Sequence, residues 1–175
     1  MMTIHEILVN RHSTRKFKTE KIETEKIELL KQAVLLSPTG KSKNHWEFIF
    51  IENEATLKLL SQCRPYGSKL LEGAALAVVV IGSPEQSDTW IEDCSIASIL
   101  LQMQAEELGL SSCWVQIDKR LNSESLSANE FVKEHLNIPA SKNVLSIVAL
   151  GYATEKKAPK NESELLYDRI HQEKF

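Results

Sequence analysis

At 175 residues the chain is long enough to bury one sizeable core, and 42% apolar with 26% charged residues is an ordinary globular composition. With 21 Lys and Arg against 24 Asp and Glu the net charge is -3, which excludes a general polyanion binder, because sequence-independent nucleic-acid affinity needs an excess of cations. The charge is unevenly spread: residues 1–46 hold nine Lys/Arg and five Asp/Glu, net +4, while residues 85–118 hold seven acids and no Lys or Arg. A local basic site on a mildly acidic protein suits a small anion better than a duplex.

Thr3-x-x-Glu6 reads as a capping box opening a short helix through Ile7 and Leu8. A basic turn, Asn10-Arg11-His12-Ser13-Thr14-Arg15-Lys16-Phe17, follows it. A second helix is predicted over about Thr24–Leu36, with Ile27, Leu30, Ala33 and Val34 on one face, and Ser37-Pro38-Thr39-Gly40 stops it. Glu47–Ile51 is a buried strand, and Asn53 can cap a helix carrying Leu57 and Leu60. The β-branched run Ala75–Ile81, apolar on both faces and closed by Gly82, predicts a central strand. The longest helix runs from Ile91 to Leu108 with Gly109 at its end. It is apolar around most of its girth, which implies burial on several sides, including against another subunit. Cys113–Val115 is a third strand, Ser127-x-x-Glu130 caps a helix through Leu136, and Val144–Leu150 is a fourth strand. The tail after Tyr152 is polar but ends in Phe175. Two helices precede the first strand and no Gly-x-Gly-x-x-Gly follows any strand. That pattern predicts an α+β fold with a mixed, largely antiparallel sheet flanked by helices, not a doubly wound parallel sheet.

Cys63, Cys94 and Cys113 form no Cys-x-x-Cys pair and are odd in number, so no disulfide framework is expected and a reducing compartment is. The longest apolar run, Ala74–Ile81, is too short to span a bilayer, and the amino terminus shows no signal-peptide pattern. A cytoplasmic location with no membrane partner is the expectation. The five His (5, 12, 45, 135, 171) have no metal-ligand spacing. Cys113 reads as a buried structural thiol, Asp93 as an N-terminal helix charge or cap, and Trp90 and Trp114 as packing or dimer-contact residues.

Two segments carry candidate chemistry. Arg11, Ser13 and Arg15 alternate, so an extended backbone aims all three one way and His12, Thr14 and Lys16 the other. Guanidinium forks and a hydroxyl converging from different directions are what a phosphate monoester needs; the alternative is a solvated basic turn between two helices. The polar loop 37–48, Ser-Pro-Thr-Gly-Lys-Ser-Lys-Asn-His-Trp-Glu-Phe, runs into the edge of a buried strand, where sites tend to be built. Its alternative is a plain helix-to-strand connection with Trp46 as a core plug.

Arg-His-Ser-Thr-Arg-Lys-Phe (11–17), the 37–51 segment, residues 93–114 and Ala149–Lys160 together resemble, in order and spacing, the four signature blocks of the FMN-dependent nitroreductase family, and most nearly its short members. The resemblance implies a single domain over residues 1–175 that is stable as an intertwined homodimer. Two FMN molecules would lie at the interface, with 152–175 as a C-terminal extension packing on the partner. It places Arg11 and Ser13, with His12 between them, at the FMN phosphate, and Arg15 at the ribityl chain or pyrimidine edge. Pro38, Thr39 and Gly40 would line the ring, and the backbone around Leu110, Ser111 and Ser112 would approach it. Lys157 and Lys160 would return to the phosphate. Where many relatives have Asn-x-Gln-Pro-Trp or Asn-x-Arg-Pro-Trp, this chain has Ser42-Lys43-Asn44-His45-Trp46. Ser42 and Asn44 therefore replace larger ring-edge partners, and His45 frees a backbone N–H. The implied reaction is ping-pong hydride transfer from NADH or NADPH to a small-molecule acceptor such as a nitroaromatic or quinone, with no side-chain acid or base required. Arg15 would stabilise the anionic reduced flavin. Other readings are a flavin carrier or redox sensor with little turnover, and another reaction on the same scaffold such as reductive dehalogenation.

Overall fold

The computed structural model describes residues 2–175. Thr3 and Glu6 close the capping box and start α1 (Ile4–Asn10). Helix α2 (Thr24–Leu35) buries Ile27, Leu30 and Val34, the stripe that its periodicity predicts. Then come β1 (Glu47–Ile51), α3 (Glu54–Leu60), β2 (Leu76–Gly82), α4 (Trp90–Glu107), β3 (Ser111–Gln116), α5 (Ala128–Leu136) and β4 (Asn143–Gly151). Asn53 and Ser127 cap α3 and α5 as the sequence suggests. Gly109, at φ 75°, takes the left-handed turn after α4 that a side chain would resist.

The four strands form one sheet in the order β1-β2-β4-β3, every pair antiparallel. The parallel component of the expected mixed sheet is a single bridge, Ser13 to Ser112, alongside β3. Helices cover both faces. Leu76, Val78 and Val80 of β2 join Leu30, Val34, Leu101 and Ala105 of α2 and α4. The alternate residues Ala77, Val79 and Ile81 meet Leu57, Leu60 and Val132 of α3 and α5. A strand buried on both sides must be apolar on both, which is why β2 reads as an unbroken run. All three cysteines are free and buried. No helix among the described residues is long and apolar enough to cross a membrane.

Helix α4 turns Ala97, Leu101 and Ala105 inward but leaves Ile96 and Ile99 more than a third exposed. Ile4 and Leu8 of α1, and Leu29, Leu35 and Leu36 at and beyond α2, are exposed as well, Leu36 to 80%. From Thr154 onward every residue is exposed. After Lys160 bonds to Val9, the tail's hydrogen bonds are all internal to it among the described residues.

Candidate functional site

The basic turn is extended, as alternation requires, and is pinned on both sides. The N–H of Thr14 donates to the Ser112 carbonyl at 2.9 Å, that of Lys18 to Tyr152 at 2.8 Å, and that of Thr154 to Lys16 at 3.2 Å. The tail then returns over it: His12 Nε2 lies 2.9 Å from the Ala158 carbonyl, and the Lys160 N–H donates to Val9 at 3.1 Å. Ser13, Thr14, Arg15 and Lys16 face Lys156 and Lys157 across an open cleft of about 310 Å³. His12 and Thr14 turn to an adjoining cleft of about 180 Å³ with Glu106, Leu110 and Ser111. The alternation is thus kept for His12 against Ser13 and Arg15, while Lys16 shares the larger cleft.

Among the described residues none of Arg11, Arg15, Lys16, Lys156 and Lys157 sits in an ion pair. Glu155 is the one carboxylate lining the larger cleft beside its four cations, and such an excess of like charge favours an anion between them. Guanidinium, ammonium and hydroxyl donors around one open cleft suit a phosphate monoester. Lys160 is used differently: its ammonium lies 3.1 Å from the Arg11 carbonyl and 3.4 Å from that of Leu8, capping the end of α1. Burial pushes the Glu106 carboxyl up, against the pull of Lys156, His12 and Arg11. Burial likewise pushes the Cys113 thiol up, so it stays protonated as a structural group. Lys156 and Glu106 were not among the sequence candidates. Lys156 could have been found as the neighbour of Lys157; Glu106 has no signal beyond being an acid in the last turn of a helix.

The 37–46 loop lies elsewhere. The Gly40 N–H donates to Asp93 Oδ1 at 2.8 Å, in the first turns of α4. The Lys43 ammonium reaches the Gln86 carbonyl at 2.9 Å, and Ser83 Oγ donates to His45 at 3.2 Å. Thr39 and Asn44 bond to each other across the loop at 2.9 and 3.0 Å. Lys41, Ser42 and Asn44 all have φ between 52° and 55°. Trp46 stacks obliquely on Phe48 with 5.2 Å between centroids, and its indole N–H is buried without a partner among the described residues.

Helix α4 separates the two candidate regions. Its first turns hold the loop, whereas Leu110, bonded to Ala105, stands beside the basic cleft at its far end. From Asp93, which holds the loop, to Ala105, which holds Leu110, the helix rises roughly 18 Å at about 1.5 Å per residue. One chain therefore brings Arg11, His12, Ser13, Arg15, Leu110, Ser111, Ser112, Lys157 and Lys160 together, and keeps Pro38, Thr39, Gly40, Ser42 and Asn44 apart from them.

The profile of the nitroreductase family matches residues 8–64 and 62–152, which includes the basic turn, the loop and all four strands. The chain belongs to the nitroreductase family. This nitroreductase-family chain is 40% identical to an FMN-dependent nitroreductase of Clostridium difficile R20291, whose solved structure superposes with a TM-score of 0.95 over 97% of this chain and 98% of that one. It is 32% identical to a protein of Archaeoglobus fulgidus provisionally named NADH dehydrogenase/NAD(P)H nitroreductase, covering 97% of both chains. A similarly named protein of Parabacteroides distasonis, 29% identical, has a solved structure that superposes with a TM-score of 0.89 over the whole of both chains.

Proposed function

We propose that the protein is an FMN-dependent oxidoreductase that takes electrons from NADH or NADPH, delivers them to a small-molecule acceptor such as a nitroaromatic or quinone, and acts as a homodimer. The observation that carries this reading is the cleft of unpaired cations around Ser13 at the end of β3, in a chain of this family. The name of the Clostridium difficile relative supports FMN, and that of the Archaeoglobus relative supports a nicotinamide donor.

Arg11 and Ser13 hold the phosphate, with Lys157 and Lys156 closing over it and His12 bracing the tail that carries them. Arg15 supplies positive charge toward the ring end. Lys160 holds α1 and the tail together and so fixes the direction of Arg11. The backbone of Leu110–Ser112 forms the wall beside the phosphate end. Pro38, Thr39, Gly40, Ser42 and Asn44 form the ring wall, which comes from the partner chain because roughly 18 Å of helix separates the two regions within one chain. Bound FMN supplies the hydride relay between donor and acceptor, so this chain needs to bind, orient and exclude water, not donate a proton. The exposed apolar residues of α1, α2 and α4, and those of the arm beyond Lys160, support a two-chain assembly.

The purified protein should be yellow and should bleach under anaerobic NADH or NADPH. A bound flavin that neither donor bleaches would make it a carrier. Arg11→Ala should lose flavin by about tenfold or more in affinity, since a charge-assisted bond to phosphate contributes roughly 1.5–3 kcal/mol. Its dimer should persist in light scattering. Full flavin occupancy in that variant would refute the phosphate assignment.

A further inference from the structure

The 37–46 loop is held in a shape that its own residues disfavour. Lys41, Ser42 and Asn44 occupy the left-handed region at φ 55°, 53° and 52°, which side chains other than glycine adopt reluctantly. Such a conformation persists when surrounding contacts over-determine it. The internal Thr39–Asn44 bonds contribute part of this. The loop is tied to the body of the protein by the Lys43 ammonium on the Gln86 carbonyl, by the Ser83 hydroxyl on the His45 carbonyl and, at the start of the left-handed stretch, by the Gly40 N–H on Asp93.

Asp93 is unusual for a carboxylate. It is only 5% exposed, and no Lys, Arg or His pairs with it among the described residues. It stands in the fourth position of α4, past the cap residue Thr89, whose own side chain makes no capping bond. Its oxygens are occupied by the loop and the preceding turn. Oδ1 accepts from Gly40 at 2.8 Å, and Oδ2 accepts from the hydroxyls of Thr89 at 3.2 Å and Ser87 at 3.4 Å. A Cβ at Gly40 would overlap the Thr89 hydroxyl, so the loop backbone is pressed against this turn. A buried unpaired charge is costly unless hydrogen bonds satisfy it. Here the Gly40 N–H comes from the loop itself, and the Ser87 and Thr89 hydroxyls hold the carboxylate in the turn against which the loop is pressed.

We propose that Asp93 is a positioning residue: its carboxylate locks the 37–46 loop in the strained form that presents Thr39, Ser42 and Asn44 to the flavin ring. The inference rests on the flavin reading above. It assigns a task to a side chain that touches neither phosphate nor ring. Through the pairing of chains, Asp93 of one chain sets the ring environment of the flavin whose phosphate is held by the other.

Two readouts test it on the full-length protein: amide hydrogen exchange at residues 39–44, and the visible spectrum with the midpoint potential of the bound flavin. In Asp93→Ala, exchange in the loop should rise about tenfold while β2 and β4 keep wild-type protection, and the spectrum and potential should shift. Asp93→Asn keeps an acceptor for the Gly40 N–H and should restore both readouts toward wild type. If Asp93→Ala does not fold, Ser87→Ala combined with Thr89→Val strips Oδ2 of its hydroxyl donors and should move both readouts in the same direction. Faster loop exchange with an unmoved flavin spectrum and potential would overturn the inference, as would unchanged exchange. Wild-type protein that takes up no FMN would fell the flavin reading and this inference together. Normal uptake by wild type with an Asp93→Ala variant indistinguishable from it would fell this inference alone.

Discussion

Tyr152 stands where β4 gives way to the tail, and its hydroxyl joins the two ends of the fold. It donates to Glu23 Oε2 at 2.5 Å and accepts from Lys26 Nζ at 2.7 Å, while Lys26 and Glu23 pair at 3.2 Å. The Tyr152 hydroxyl, more than the Lys26 charge, pulls the Glu23 carboxyl down to about 2. A carboxyl lowered in the folded state contributes stability that is fully present above its ordinary value of 4.5 and is lost as pH falls toward about 2. Tyr152→Phe should therefore lower the urea midpoint at pH 7 by a small amount, since the group is exposed and screened, and flatten its pH dependence between those values, so that variant and wild type converge as pH falls toward about 2. The Glu23–Lys26 spacing is visible in the sequence as a helix-start pair. Its link to a residue 129 positions away is not, because nothing local encodes which hydroxyl arrives there. Asp93 illustrates the same limit. Its place in the first turns of α4 was legible, and an N-terminal charge was the natural reading, but the loop amide that it accepts comes from 53 residues earlier.

At the scale of elements the sequence was far more informative. Helix α2 and the caps of α1, α3 and α5 stand where period 3.6 and the Ser/Thr/Asn cap signals put them, and β1 falls at Glu47–Ile51 as expected, but as an edge strand that buries Ile51 alone, not as a buried one. Strand β2 is buried at every position because it is covered on both faces. What local pattern could not supply was the strand order β1-β2-β4-β3, since pairing between distant strands is decided by which apolar faces cover which helices. Helix α4 shows the consequence: it packs Leu101, fully buried, between α2 and the sheet. Leu101→Ala should cost about 2–5 kcal/mol, the usual range for a truncated core leucine, read as a lower urea midpoint with an unchanged slope. Ile99→Ala, on the outward side of the same helix, should barely alter the fold. Its effect should fall on assembly.

For the whole molecule, the four signature blocks located the candidate site residues, yet a linear sequence could not reveal that α4 parts them into two groups. The arm from Asn161 to Phe175 is the other large-scale feature. Its Leu165, Leu166, Tyr167, Ile170 and Phe175 are all exposed, and five large apolar side chains on a segment that among the described residues bonds only to itself call for a covering surface. Deleting 161–175 should shift the protein toward monomer in light scattering at micromolar concentration and lower its flavin content, while far-UV circular dichroism stays close to wild type.

The length of α4 has a genetic corollary on the proposed pairing. Each chain contributes the basic end of one site and the loop of the other. A lesion in Arg11 and a lesion in Asp93, carried by different chains, therefore sort in a mixed pair so that one cavity inherits both defects and its twin inherits neither. Two crippled alleles could complement one another, and what looks like a single active centre is a contract between copies.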